Sequence, residues 1–393
     1  MQLSLFGFVF FFSALSLGFV TSAGRNEVVK PYFNTPLRVL LDKGQQELRM
    51  KSVLNSIYLK EPDQEKWIKI GGQAVIQITR NKNNILINGV TYKAHSIYFR
   101  GGPQHTDPIN YDNHFYRGAL KLYLTRSGLI LTNIIPLEEY LYGQVAGEMN
   151  PNWEMEALKA QVVAARTYAL YMIKHPKSSF YDLEKGTSDQ VYLGAQSESV
   201  RIRKAVESTR NEFVTKELLP IKAYYHSRCG GYTEPASSVW NKMEKHSRIG
   251  VPCPYCQRFP YSWKTSVKAK ELFNVVKLPF EKLKPFKISI SNKSPSGRVK
   301  EVLLESNQRK LSVKSEELRH LLGYANVKST RFEVKLNQNE EEIHFEGTGA
   351  GHGVGMCQWG AQFLAKQGKS YREILAHYYP SYKISEAQKT FLP

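Results

Sequence analysis

A glycine-rich run near the C-terminus is the feature that most constrains the fold of this 393-residue chain. Residues 347–361 read GTGAGHGVGMCQWGA, with six glycines in fifteen positions and a single histidine, His352. Glycine adopts positive φ and allows close backbone approach, and ordering it costs about 0.5–1 kcal/mol per residue relative to alanine. We therefore expect this run to form a backbone wall against a ligand. It lacks the GKS or GKT of a phosphate-binding loop, which argues against a nucleotide site.

The first 23 residues predict export. They carry no charged side chain, residues 3–20 are apolar or small, and residues 21–23 offer small side chains for cleavage before Gly24. This pattern is typical of a secretory signal peptide, although no Lys or Arg precedes the apolar stretch. A retained anchor is the alternative, because about 20 apolar residues can span a bilayer. We expect an exported protein of the periplasm or cell wall that contacts a membrane only if this segment is retained.

The remaining chain predicts an α+β fold with its β-rich part first. A flexible leader (24–36) precedes a β-rich region (37–134) of short apolar runs with period 2, separated by turns. A mixed α+β catalytic region (135–385), which contains the glycine run, and a tail (386–393) complete the chain.

Particular elements are predicted within the catalytic region. Residues 136–146 (PLEEYLYGQVA) suggest a strand, and a helix is expected to begin near Asn150, with an apolar stripe at helical spacing from residue 155 to residue 172. We also expect a hairpin over 288–304, short helices over 315–322 and 358–366, and a last helix opened by the capping box of Ser370 and Glu373.

The formal net charge of +19 implies attraction to polyanions. Nucleic acid is not expected, because export argues against it and no nucleic-acid-binding motif accompanies the charge. Anionic lipid, teichoic acid and cell-wall glycan are the remaining candidates. The alternative is that the charge serves only solubility.

Glu148 is the candidate general acid. It lies between the predicted strand and the predicted helix, and sites commonly form at the ends of elements. The alternative is an acid in the first turn of the helix, which stabilises the helix dipole. That dipole would lower the pKa of Glu148, so a general acid here requires burial or an apolar wall to raise it.

Two helix cations are candidate ligands for substrate carboxylates. Lys159 and Arg166 are seven residues apart and therefore share one helix face. Arg can bind a carboxylate through two parallel hydrogen bonds. An ordinary solvated face is the alternative.

A group of one histidine and three cysteines predicts a metal site or a disulfide. His226 and Cys229 form one pair with two intervening residues, and Cys253 and Cys256 form another. This arrangement is similar to a zinc ribbon, and a closed four-ligand zinc is structural. Export favours a disulfide instead, and free thiols are a third possibility. Cys357 also suggests a Cys–His hydrolase, although no orienting Asn or Asp stands out.

Several segments together resemble the stage II sporulation protein D family, whose relatives include amidase-enhancer proteins. Residues 137–170 (LEEYLYGQVAGEMNPNWEMEALKAQVVAARTYAL) are similar to its central motif, and residues 349–362 (GAGHGVGMCQWGAQ) to its C-terminal signature. The segments QVYLG (190–194), YHS (225–227), GGYTE (230–234) and HYYP (377–380) extend the match. The resemblance covers roughly residues 37–384.

The resemblance implies a lytic transglycosylase that cuts peptidoglycan glycan strands already stripped of stem peptides by an amidase. It implies that Glu148 is the catalytic acid and that Lys159 and Arg166 bind substrate. Zinc-binding members suggest structural zinc at His226, Cys229, Cys253 and Cys256. Further residues in matched motifs are expected to bind the glycan, namely Gln190, Tyr192, Tyr225, His352 and Gln358. The family usually has Ser at the position of Cys357, which argues against a nucleophilic role.

Three functions compete on the sequence alone. The first is the lytic transglycosylase. The second is a peptidoglycan-binding protein that has no catalytic activity and stimulates an N-acetylmuramoyl-L-alanine amidase, as the amidase-enhancer relatives suggest. The third is a secreted Cys–His peptidase.

Overall fold

The structure, a computed structural model, describes residues 35–387 except 53–55, 72–74, 103, 105, 241–249, 308, 338 and 340. The predicted signal segment, nearly all of the predicted leader and most of the predicted tail lie outside the described residues. Within the described part of the chain, no helix has the combined length and apolar character needed for a bilayer crossing.

The fold is α+β with a β-rich beginning, as predicted. The strands before the first described helix are β1 (Leu37–Gln45), β2 (Glu47–Ser52), β3 (Ile57–Lys60), β4 (Ile68–Gly71), β5 (Ile76–Asn81), β6 (Asn84–Ile87), β7 (Val90–Tyr92), β8 (Ser96–Gly101), β9 (Ile109–Tyr111), β10 (His114–Tyr116), β11 (Ala119–Thr125) and β12 (Gly128–Ile135). One sheet has the order β1-β12-β11-β8-β3-β4, and another has the order β10-β9-β2-β5-β6-β7. Alternate residues of β2 and β8 are buried, which fixes their register because a one-residue slip would expose them.

Helices dominate the next part of the chain. The described α-helices are α1 (Leu137–Glu148), α2 (Met155–Lys174), α3 (Val200–Ser208), α4 (Ala236–Trp240), α5 (Pro254–Arg258), α6 (Ala269–Val275), α7 (Ser315–Leu322), α8 (Gln358–Lys366) and α9 (Tyr371–Tyr378). Short 3-10 helices occupy Ala195–Ser197 and Phe280–Leu283. α2 is central, because it packs against α1, α3, α8 and α9.

The remaining strands connect the helical part to the first sheet and form new sheets. They are β13 (Leu183–Glu184), β14 (Glu212–Lys216), β15 (Leu219–Pro220), β16 (Tyr225–His226), β17 (Ser262–Lys268), β18 (Phe286–Lys293), β19 (Val299–Ser306), β20 (Lys310–Lys314), β21 (Phe332–Asn337), β22 (Glu342–Thr348), β23 (Met356–Cys357) and β24 (Lys383–Glu386). β13 pairs in parallel with β1, and β16 pairs in parallel with β23.

Two hydrophobic cores organise the described chain. The larger core joins the first two sheets to α1, α2, α8 and α9. The smaller core is built by β17–β22 with α6 and α7. Arg298, which is buried, connects them by donating hydrogen bonds to the carbonyl oxygen of Cys229 at 2.5 Å and to Oγ1 of Thr330 at 3.1 Å. The smaller core lies within the predicted catalytic region (135–385), and no predicted boundary separates it from the rest of that region.

The strand predicted over 136–146 is wrong, because this segment forms most of α1. The helix is buried on nearly all sides between Leu137 and Val145, and its sequence therefore lacks the amphipathic pattern of a surface helix. Its aromatic and β-branched residues favour a strand by propensity alone. Packing against α2 overrides that preference.

The predicted start of the second helix is also wrong. α2 begins at Met155, whereas Asn150 lies in the preceding turn, where its Oδ1 accepts a hydrogen bond from the backbone N–H of Asn152 at 2.9 Å. Asn side chains form such local hydrogen bonds in place of helix. The predicted apolar stripe is nevertheless confirmed, since five of its residues are buried, namely Leu158, Val162, Ala165, Ala169 and Met172.

Other predicted elements are confirmed. β18 and β19 form the hairpin, which turns through Gly297 at a φ of +83°. α7 and α8 occupy 315–322 and 358–366 as predicted. The capping box of Ser370 and Glu373 opens α9.

Candidate active site

A cavity of about 450 Å³ lies where the two cores meet, and Glu148 lines it. Its wall combines the end of α1, part of α2, the loop before Val191, β16, α7 and the glycine-rich run at 350–352. Both cores therefore contribute to one concave site, as expected for a ligand cavity.

Glu148 is the last residue of α1 and is half-buried. Its Oε1 accepts a hydrogen bond from the backbone N–H of Val191 at 2.7 Å and lies 3.4 Å from the hydroxyl of Tyr225. Its Oε2 lies 3.4 Å from Nε2 of Gln358. Burial raises the pKa of Glu148 above its ordinary value, although these hydrogen bonds oppose the rise. The predicted lowering by a helix N-terminus is wrong, because the C-terminal end of α1 carries the negative pole of its dipole.

Two glycines of α1 allow Glu148 to reach Val191. A Cβ atom on Gly147 would lie 2.8 Å from the carbonyl oxygen of Val191, and one on Gly143 would lie 2.5 Å from that of Gly194. Both distances are shorter than real contacts, so α1 can pack against residues 191–194 only with glycine at these positions.

Three predicted substrate residues lie at this site. Tyr225 lines the cavity, and its hydroxyl accepts a hydrogen bond from Nε2 of Gln144 at 2.8 Å. His352 also lines the cavity, and burial lowers its pKa well below the ordinary value, which keeps the imidazole neutral. Gln358 begins α8 and contacts Glu148 directly.

Gln190 and Tyr192 lie in the core beside the cavity and do not line it. The Tyr140 hydroxyl donates to Oε1 of Gln190 at 3.1 Å, and the Tyr192 hydroxyl donates to Oδ1 of Asn133 at 3.0 Å. The two side chains hold the segment on either side of Val191, whose backbone N–H reaches Glu148. The predicted segment therefore does reach the site, but through the backbone N–H of Val191 and not through the side chains of Gln190 and Tyr192.

The structure brings neither Lys159 nor Arg166 to the cavity. Arg166 is fully buried, and its Nε and Nη2 donate to the two carboxylate oxygens of Glu138 at 2.8 and 2.7 Å. Lys159 pairs with Glu156 at 2.8 Å near the surface. The partner of Arg166 is a carboxylate of α1, whereas Lys159 pairs within α2 itself, so both cations of the predicted face are bound to protein carboxylates away from the cavity.

Four cysteines form a cluster close to the cavity. The Sγ atoms of Cys229, Cys253, Cys256 and Cys357 all lie within 4.8 Å of one another, and all four residues are buried. All four cysteines are free thiols, so the disulfide that the sequence offered as an alternative to a metal site is not formed. The parallel pairing of β16 with β23 brings Cys357 into the cluster.

His226 is not a member of this cluster, so the predicted ligand set requires correction. Its Nδ1 donates a hydrogen bond to the carbonyl oxygen of Val354 at 3.0 Å, and its ring lines the cavity. Burial lowers the pKa of His226 to about 3, so this imidazole is neutral. Cys357 is the fourth member of the cluster. The spacing of two residues between His226 and Cys229 therefore did not identify the correct fourth residue.

The cluster fits a tetrahedral metal ion. Four bonds of about 2.3 Å from zinc to sulfur place the sulfur atoms about 3.8 Å apart. The Sγ atoms of Cys256 and Cys357 are 3.6 Å apart, and the remaining distances stay within the 4.8 Å limit. The backbone N–H of Gly231 donates to Sγ of Cys229 at 3.3 Å, as is usual around ligating thiolates.

Several residues that line the cavity were not predicted as site residues. Tyr224 stacks on Trp240 with ring centroids 4.5 Å apart, and both line the cavity. Arg319 and Lys328 reach it from the smaller core. None of them was predicted as a site residue. Arg319 and Lys328 reach the cavity that Glu148 lines only because the smaller core meets the larger one.

The fold and the site define an α+β protein with a cavity between its two cores. The carboxyl group of Glu148 lines this cavity and forms no ion pair with any described Lys, Arg or His. Residues 125–215 match the family described as stage II sporulation protein, and residues 256–355 match a domain of unknown function. The second range coincides closely with the smaller core.

Similar proteins agree with this match. An uncharacterized protein of Brachyspira hyodysenteriae is 32% identical over 323 residues, covering 81% of this chain and 85% of that protein. Stage II sporulation protein D of Bacillus subtilis is 32% identical over 276 residues, covering 64% of this chain and 75% of that protein. The amidase enhancer of Bacillus subtilis is 30% identical over 290 residues, covering 61% of this chain and 39% of that protein. The chain belongs to the stage II sporulation protein D family, as its motifs predict.

Proposed function

We propose that this protein is an exported cell-wall enzyme, a lytic transglycosylase that cleaves peptidoglycan glycan strands lacking stem peptides. The observation that supports it best is the environment of Glu148. This carboxyl group is half-buried on a cavity wall and has a raised pKa, with no cation holding it ionised among the described residues. A general acid needs these properties.

One carboxyl group is sufficient for the proposed reaction. Protonated Glu148 donates its proton to the glycosidic oxygen as the bond from that oxygen to the anomeric carbon breaks. The carboxylate then accepts the proton of the C6 hydroxyl while O6 bonds to the anomeric carbon, which gives a 1,6-anhydromuramyl end without consuming water. Glycoside hydrolysis by water usually needs two carboxyl groups.

The hydrogen bonds of Glu148 favour one oxygen for this role. Oε1 accepts the 2.7 Å hydrogen bond from Val191, whereas Oε2 has only the 3.4 Å contact with Gln358. Oε2 is therefore the oxygen that carries and returns the proton. The rings of Tyr225, Trp240 and His352 line the same cavity and supply flat faces for a sugar.

The cysteine cluster is proposed to hold a structural zinc ion. Cys229, Cys253, Cys256 and Cys357 would supply all four ligands, which leaves no open position for catalysis. Bound zinc supplies a crosslink between the strand pair β16–β23 and α5, next to the wall that carries His226. The thiol of Cys357 is thereby assigned to the cluster, and not to a Cys–His peptidase.

A second candidate function is the stimulation of an amidase by a wall-binding protein that has no catalytic activity. The similarity to the amidase enhancer favours it. In both cases the expected partners are glycan strands and a cell-wall amidase.

The deciding experiment uses the purified chain without residues 1–23 and peptidoglycan strands already stripped by an amidase. Mass spectrometry of the soluble products detects anhydromuramyl ends. We expect release by the wild type and by Glu207→Gln, an exposed control on α3, and none by Glu148→Gln. Unchanged release by Glu148→Gln would refute the acid assignment. Binding without release by the wild type would support the amidase-stimulating function.

A further inference from the structure

Besides Glu148, the cavity is lined by four charged side chains, and among the described residues all of them but Lys328 are in ion pairs. Asp189 forms an ion pair with Lys177 at 2.6 Å, and both oxygens of Glu316 accept hydrogen bonds from Arg319 at 3.0 and 2.9 Å. Lys328 lines the same cavity and has no carboxylate partner among the described residues. The cavity therefore contains one cation whose charge the described protein does not neutralise.

The ammonium group of Lys328 has donors to spare. Its Nζ donates one hydrogen bond, to the hydroxyl of Tyr261 at 3.2 Å, and lies 5.6 Å from the centre of that ring. An ammonium group has three N–H donors, so two remain for a ligand. The side chain is half-buried, and an anion would compensate for the hydration it lacks there.

The backbone of Lys328 is fixed against the glycine-rich run. Its carbonyl oxygen accepts hydrogen bonds from the backbone N–H of Gly351 at 2.7 Å and from Nη2 of Arg319 at 3.0 Å. Nε of Arg319 also donates to the carbonyl oxygen of Val327 at 2.9 Å. The lysine is thus held beside His352, on a wall formed jointly by the glycine run and the smaller core.

We infer that Lys328 binds the lactyl carboxylate of muramic acid in the glycan strand, and thereby determines which strands enter the cavity. This inference rests on the proposed function. In a strand that retains its stem peptides, the lactyl carboxylate is replaced by an uncharged amide, which cannot form an ion pair with Lys328. A carboxylate accepts charge-assisted hydrogen bonds from an ammonium group, so Lys328 favours stripped strands. Lys159 and Arg166, which were predicted from the sequence to have this role, lie outside the cavity.

The test varies the lysine and the carboxylate together. Wild type, Lys328→Gln and the control Lys335→Gln, an exposed lysine on β21 with the same change of charge, are compared on two glycans. One is the amidase-stripped strand, and the other is the same strand with its carboxylates converted to methyl amides. We expect Lys328→Gln to raise KM about tenfold on the free carboxylate, which is about 1.4 kcal/mol, and to leave KM on the amide strand unchanged. Lys328→Arg should restore the preference.

The outcomes separate this inference from the proposed function. An equal loss on both strands would show that Lys328 only supports the fold, and would overturn the inference. If the wild type releases no product, the transglycosylase assignment fails, and equilibrium binding of the two strands decides about Lys328. A wild-type preference for the free carboxylate that Lys328→Gln abolishes supports the inference, whereas equal binding of both strands overturns it.

Discussion

The backbone N–H of Val191 donates a 2.7 Å hydrogen bond to Oε1 of Glu148, and this contact fixes the orientation of the carboxyl group. It joins the end of α1 to a segment 43 residues later in the chain. Because a backbone donor cannot rotate away, the geometry of the proposed acid depends on how this segment is held. Gln190 and Tyr192, on either side of Val191, are anchored in the core and hold it in place.

Replacement of Gln358 by Met is expected to shift the pH dependence of activity to higher pH. The hydrogen bond from Gln358 lowers the pKa of Glu148, which burial raises, so its removal raises that pKa further. A general acid acts while protonated, and the rate therefore falls as pH rises through its pKa. The pH profile of kcat/KM for release of anhydromuramyl ends measures this shift.

The matched control for this shift is Gln367→Met, at the exposed end of α8, whose profile should follow the wild type. A descending limb that stays in place or moves to lower pH in Gln358→Met would contradict the assignment. The same raised pKa affects stability. The contribution of Glu148 to the free energy of unfolding is present below its unfolded pKa and is lost as pH rises through the folded value.

Arg166 and Lys159 are expected to differ strongly in their effect on stability. Arg166→Met leaves Glu138 without its buried partner and should lower the free energy of unfolding by about 3–5 kcal/mol. Lys159→Gln breaks only a partly exposed pair and should change it by less than about 1 kcal/mol. Urea denaturation of the two variants provides the comparison. A stable Arg166→Met protein that has lost only glycan binding would instead favour the role predicted from sequence.

Metal content should distinguish the cysteine cluster from the ligand set predicted from sequence. Elemental analysis of the purified protein should give about one zinc per chain. Cys357→Ser should lose most of this zinc, because it removes one of four clustered thiols. His226→Gln should retain it, because His226 lies outside the cluster. The opposite result for the two variants would restore His226 as the fourth ligand.

Two glycines with similar φ should respond differently to alanine. Gly355 and Gly368 have φ values of +71° and +81°, so alanine is strained at both, by about 1–2 kcal/mol. A Cβ atom on Gly355 would also collide with the carbonyl oxygen of Tyr224, whereas one on Gly368 meets nothing within 4 Å. Gly355→Ala should therefore lose about a further 1–3 kcal/mol in urea denaturation. Equal losses would show that the glycine run is less tightly packed than described.

The sequence was informative where local patterns decide the structure. The apolar stripe of α2, the hairpin of β18 and β19 and the capping box of α9 depend on spacing within one element, and all three were predicted. α1 was missed because it is buried on nearly every side, which removes the periodicity that predicts a helix.

The candidate site was predictable only in part, because contacts between distant segments build it. Glu148 stays a prediction supported by its surroundings. The spacing of Lys159 and Arg166 correctly implied a shared helix face but could not show which partners cover that face. Cys357 enters the cysteine cluster only because β23 pairs with β16, and Lys328 lies in no recognised motif. Such pairings are properties of the tertiary fold.

The parallel pairing of β13 with β1 has a consequence for how the protein can be divided. Val39 and Leu40 pair with Leu183 and Glu184, just before the loop that leads to Val191. The first of the described strands therefore supports the segment that orients Glu148. A truncated protein that starts at residue 135 would retain every proposed catalytic and metal-binding side chain, yet it would lose the pairing of β1 with β13. We therefore expect that boundaries drawn around the family motif alone do not enclose a unit that folds independently.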